Sequence, residues 1–162
     1  MERKKNIKIL SAQEALFKIK NWCAYQERSQ HDVRQKLFEY FLNTEDLENV
    51  ITTLIEENFL NEERFAIAFV NGKLRIKNWG RIKIKIELRK HKVSDYSINI
   101  GLKQIDELEY EKIIINVIEK KLRLTKDKNN IKLYYSVLNY LISRGFESDL
   151  ISEQLEKIIK IK

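Results

Sequence analysis

The sequence predicts an all-α protein built from three tandem three-helix repeats in an elongated, curved array, and three observations carry that reading. The 162 residues include no proline and only four glycines, whereas an all-β domain turns roughly every 8 to 12 residues and uses these residues to do so. The chain matches itself when shifted by 51 residues. Within each matching segment the shared apolar positions are three and four apart, the period of one helix face.

At the 51-residue shift, Leu16, Ile19 and Cys23 fall on Ile67, Val70 and Leu74, and Val33 and Leu37 fall on Ile84 and Leu88. Leu42, Leu47, Ile51 and Leu54 then fall on Val93, Ile98, Leu102 and Ile105. A further shift of 53 reaches Val137, Leu141, Phe146, Ile151, Leu155 and Ile158, while the first segment of the third unit fits a shift of 48, at Ile115, Ile118 and Leu122. That difference predicts a longer loop at Thr125 to Asn130, in the polar stretch TKDKNN. The units are 1–60, 61–109 and 110–162. Repeats of about this length are supersecondary units that stack on their neighbours.

Helix starts are marked by the capping box Ser11-x-x-Glu14, by the similar Ser29-x-x-Asp32 and Asn43-x-x-Asp46, and by Asn61 and Ser94 as single caps. The corner between the second and third helices falls at Phe41, Lys92 and Gly145. Only Gly145 takes a left-handed conformation without strain, which leaves the first two corners open.

One segment resists this reading. Gly80 to Lys90, GRIKIKIELRK, alternates apolar and charged residues with a strand's period of two. The repeat register selects Ile84 and Leu88, four apart, as its core pair, so it is the second helix of the middle unit. Ile82 and Ile86 then face away, toward a neighbouring repeat or a partner.

Charge is concentrated in the same unit. Gly72 to Lys92 holds nine Lys or Arg and one acid, Glu87, a local charge of +8 in a chain of net +7. Like charges on one helix repel, so the stretch points to an anionic partner, either nucleic-acid phosphate or an acidic protein surface. Trp79, among these cations, is placed to stack on a base or to pack between helices.

The sequence offers little to catalysis. His31 and His91 have no ligand-spaced Cys or carboxylate partners, there is no glycine-rich phosphate loop, and Cys23 alone makes neither a disulfide nor a metal site. No enzyme, metal or cofactor is expected. No apolar run approaches the roughly 18 residues of a membrane span, and the N-terminus lacks the apolar core of a secretory signal, so the expected location is the cytoplasm.

Several motifs resemble the RecX regulatory family, most closely its Bacteroidetes-like form. They are Cys23-Ala-Tyr-Gln-Glu-Arg-Ser29 with His31-Asp-Val-Arg-Gln-Lys-Leu37, Asn58-Phe-Leu-Asn-Glu-Glu-Arg-Phe-Ala66, Gly72-Lys73 with Trp79-Gly-Arg81, and Ser143-Arg-Gly-Phe146, in family order over nearly the whole chain. Glu62 stands where the family commonly has Asp, and Lys92 where it commonly has a glycine-like corner. The resemblance implies a non-catalytic, monomeric modulator of recombination and DNA repair that binds the RecA recombinase filament. It implies contact with the filament's single-stranded DNA too, and restraint of ATP hydrolysis, filament growth and strand exchange. By position, Arg64, Phe65 and Ala66 carry over as the middle-repeat motif. The expected recombinase- and DNA-binding residues are Lys73, Arg75, Lys77, Trp79, Arg81, Lys83, Lys85 and Arg89, joined by Arg28, Arg34 and Arg64. A helix-turn-helix-like DNA-binding regulator is the alternative, since three short helices describe that unit as well, and a bare helical scaffold is a third reading.

Overall fold

The computed structural model describes residues 9–125 and 129–159. Among these it contains nine α-helices and no strand: α1 (Ala12–Tyr25), α2 (Gln30–Phe38), α3 (Thr44–Glu56), α4 (Glu62–Lys77), α5 (Arg81–Lys90), α6 (Asp95–Lys103), α7 (Glu107–Leu124), α8 (Asn130–Ser143) and α9 (Ser148–Ile158). They form three tandem three-helix units. The GRIKIKIELRK segment is helical, with Ile84 and Leu88 fully buried and Ile82 and Ile86 each 49% exposed. Burial of the register-matched pair outweighs local β-propensity here.

All five expected caps form. Ser11 and Glu14 make a reciprocal capping box, and Ser29, Asn43, Asn61 and Ser94 each accept a hydrogen bond from the backbone N–H three residues on. Each supplies a partner to an N–H that the helix itself leaves free. All three corners are left-handed, Phe41 at φ 57°, Lys92 at 58° and Gly145 at 86°. A side chain therefore does not stop the first two units from making the glycine-type corner. The third unit departs from its register at the end, where Ile158 is 40% exposed and Ile159 is buried instead. The chain leaves the helix at Ile159, whose backbone is extended, and a change of backbone state shifts which side chain faces inward. The loop expected at Thr125 to Asn130 is bracketed by the end of α7 and the start of α8, and its residues 126–128 lie outside those described.

The core is split in two. One apolar cluster draws only on residues 10–60, and the other is shared by the second and third units, from Phe65 to Ile159.

The two unit junctions differ in kind. Between the second and third, main chain bonds to main chain: Gly80 N–H donates to the Arg144 carbonyl at 2.9 Å and Ile82 N–H to that of Gly145 at 3.1 Å. Arg144 also reaches back with its guanidinium to the carbonyls of Lys77 and Asn78, capping the end of α4. Between the first and second, the described hydrogen bonds all involve side chains. Arg64 donates to Glu27 at 2.5 Å and to Asn58 at 3.0 Å, and His91 Nδ1 lies 3.0 Å from Asp32.

Candidate partner-binding surface

The basic stretch occupies the end of α4, the α4–α5 connection and α5. Its arginines are held by the chain itself. Arg75 makes a bidentate pair with Glu109 of α7 at 2.8 and 2.9 Å, and this hydrogen-bonded pairing holds the Glu109 carboxyl below the usual carboxylate range. Arg81 bonds Glu107 at 2.7 Å, lies 3.7 Å from Glu147 and stacks 4.0 Å over the Tyr110 ring. Arg89 bonds Asp95. In the first unit Arg34 pairs with Glu48, and Arg28 stacks 4.1 Å over Trp22. Arg64 spans the first junction, as described above. The planar fork of arginine matches carboxylates and carbonyls in two directions, which suits it to such ties.

The lysines are placed differently. Lys73, Lys77, Lys83 and Lys85 have no described carboxylate within salt-bridge distance. Lys73 and Lys83 sit over Trp79 at 5.0 and 4.7 Å, and Lys73 also over Phe69. Trp79 itself is half-buried against the shared core, so it both packs between helices and orients two ammonium groups. At 100° per residue, the outer face of α5 carries Ile82 and Ile86 with Lys83 on one flank and Lys85 on the other. The result is an exposed apolar ridge edged by cations.

The buried network beneath this surface was not anticipated from sequence. Tyr110, 1% exposed, donates its hydroxyl to Glu147 at 2.6 Å and accepts the Arg81 N–H at 3.0 Å. Burial first, then the bond to Glu147, raise its pKa well above that of a free phenol. The only sequence signal was the third-unit segment Ser143-Arg-Gly-Phe146, adjacent to Glu147.

Among the described residues no group of three His, Cys, Asp or Glu could hold a metal ion, and no helix is long and apolar enough to cross a membrane. Cys23 is buried, and that burial pushes its thiol up to about 11, leaving almost no thiolate at neutral pH.

Fold and surface together define a tandem three-helix repeat protein that presents an apolar ridge edged by lysines. Comparison with known proteins narrows the class. Residues 61–102 match the RecX second three-helix domain and residues 109–155 the RecX third three-helix domain, together more than half of the sequence, and the chain belongs to the RecX family. It is 27% identical over 148 residues to the regulatory protein RecX of Prosthecochloris aestuarii, covering 90% of this chain and 93% of that one. The RecX of Clostridium beijerinckii is 25% identical over 136 residues, 83% of this chain but 63% of that protein, so this chain spans about three-fifths of that relative's length. Among solved structures, the crystal structure of RecX from Lactobacillus salivarius aligns with a TM-score of 0.81 at 19% identity over 93% of this chain and 97% of that one.

Proposed function

We propose that this protein is a non-catalytic regulator of homologous recombination and DNA repair in the cytoplasm. It binds the RecA filament on single-stranded DNA as a monomer and restrains ATP hydrolysis, filament growth and strand exchange. The observation that carries the reading is the face formed by Lys73, Lys77, Lys83 and Lys85 around Trp79, Ile82 and Ile86. It is cationic without internal neutralisation, so an anionic partner gains contacts without breaking ion pairs of the fold. The units 1–60, 61–109 and 110–162 supply the length to span neighbouring protomers, and a curved array suits a groove. Contact with DNA is the weaker, salt-sensitive part of this binding.

The experiment adds the protein to preformed RecA filaments on single-stranded DNA and follows ATP hydrolysis and strand exchange. Inhibition at or below one protein per recombinase protomer is expected, and unchanged rates in both assays would exclude the proposal. Sequence-selective duplex binding that persists at raised salt would instead indicate a DNA-binding regulator.

A further inference from the structure

A cleft of about 450 Å³ opens between the first and second units. The α1–α2 connection forms one wall and the outer face of α4 the other. Its lining joins an apolar strip, Phe69 and Ile76, to the cations Arg28, Lys73 and Lys77. Ile76 is 76% exposed, a large apolar side chain left in solvent within helical reach of Lys73 and Lys77. The floor includes Gly72, in the interior of α4, where a Cβ would meet nothing within 4 Å. Glycine there is unfavourable to the helix and is not required by any neighbour, yet its bare backbone keeps the cleft deep.

We propose that this cleft docks a short acidic peptide segment of a partner protein, one that sets an aliphatic or aromatic side chain on Phe69 and Ile76 and its carboxylates against Lys73, Lys77 and Arg28. Two features favour peptide over nucleic acid. The walls also carry Glu27 and Asp32, tied to Arg64 and His91, so the cations of the lining are few and spaced, which suits separate peptide carboxylates better than a continuous phosphate track. In the same wall, Arg28 Nε and Glu27 Oε2 are buried and bonded to no described group. A peptide unit offers both an acceptor and a donor to such atoms, whereas a phosphate complements the donor alone. Both residues sit on the α1–α2 connection, which meets the second unit only through side chains, so a small shift of that connection brings them to an occupant. The proposal stands on the cleft alone and holds whether or not the partner is a recombinase.

The test is fluorescence anisotropy of the full chain with a dye-labelled peptide, Asp-Leu-Glu-Phe-Asp, alongside its Lys-for-acid counterpart and an oligo-dT of about ten nucleotides, with amide shifts recorded by NMR. Binding of the acidic peptide is expected, with shifts concentrated at Phe69, Gly72 and Lys73, and Gly72→Leu should weaken it at least tenfold by filling the floor. Should Gly72→Leu fold poorly, Lys73→Gln with Lys77→Gln should give a loss of similar size. No binding, equal binding of the basic peptide, shifts elsewhere, indifference to both variants, or shifts at Phe69, Gly72 and Lys73 produced by oligo-dT and not by the acidic peptide would each overturn the proposal. Recombinase inhibition is measured separately, so failure of the cleft proposal is distinct from failure of the proposed function.

Discussion

Gly80 and Gly145 meet backbone to backbone: a Cβ placed on Gly80 would lie 2.1 Å from the Gly145 carbonyl oxygen. That contact lets the second and third units share two main-chain hydrogen bonds and one core, while the first unit keeps a core of its own. Close approach requires glycine at position 80 because the obstructing atoms are backbone and cannot rotate away.

Gly80→Ala should therefore destabilise the protein by about 2–3 kcal/mol, as over-packing a fixed site does. Gly72→Ala, in open space on α4, should instead stabilise it by about 0.5–1 kcal/mol through helix propensity. Urea denaturation of both variants checks the pair, and equal effects of the two would refute the role given to the Gly80–Gly145 contact.

Tyr110→Phe removes one hydroxyl and leaves two partly buried partners, the Arg81 N–H and Glu147, without it. The expected loss is about 1–3 kcal/mol, the usual cost of stranding a buried polar group. Thermal melts of the variant beside the parent protein measure it, and a neutral result would mean that solvent satisfies both partners.

The buried thiol of Cys23 predicts an alkaline limit. Its pKa in the fold, about 11, is raised above the ordinary value of 9.0, so folding favours the protonated form. This contribution is complete below about pH 9 and is lost as pH rises toward 11. The stability difference between the parent protein and Cys23→Ala should therefore shrink across that window. In the same fold, a thiol-specific reagent at pH 8 should react with Cys23 only as fast as the first unit opens. Rapid stoichiometric labelling would show the thiol to be accessible.

Much of the fold was legible because it depends on patterns that repeat. Val33 and Leu37, Ile84 and Leu88, and Val137 and Leu141 are all fully buried, as the register requires. The caps are local in sequence, and so they too were readable. The left-handed corners at Phe41 and Lys92 were not, because propensity alone argues against them and only the surrounding helices impose them. The candidate face was the least legible part. A run of cations gives the sign of the field but not its internal partners: Glu109 lies 34 residues from Arg75, and Glu107 lies 26 from Arg81. Only folding sorts the arginines that pair with carboxylates from the lysines that pair with none described.

The two isoleucine pairs of α5 test that sorting directly. Ile84→Ala empties a fully buried site and should cost about 2–5 kcal/mol, whereas Ile82→Ala and Ile86→Ala, at half-exposed sites, should each stay within about 1 kcal/mol. Chemical denaturation separates these outcomes, and a large loss at Ile82 or Ile86 would mean that the outer ridge belongs to the core.

Charge reversal then separates fold from function on the same helix. The Arg81 side chain is 22% exposed and is tied to Glu107, Glu147 and the Tyr110 ring. Arg81→Glu would bring a third carboxylate to two others and leave the partly buried Glu147 without its cation, so its first effect should be a loss of stability of about 1–3 kcal/mol. Lys83 and Lys85 pair with no described carboxylate, and Lys83→Glu with Lys85→Glu should leave stability within about 1 kcal/mol. If the lysine face meets the filament, that double variant should weaken inhibition of recombinase ATP hydrolysis at least tenfold while its circular dichroism is unchanged, and the parent protein's inhibition should decline with added salt, because the contact is electrostatic. Inhibition that survives the double reversal would move the contact surface off α5, and the next face to reverse would be Lys73 and Lys77 at the end of α4.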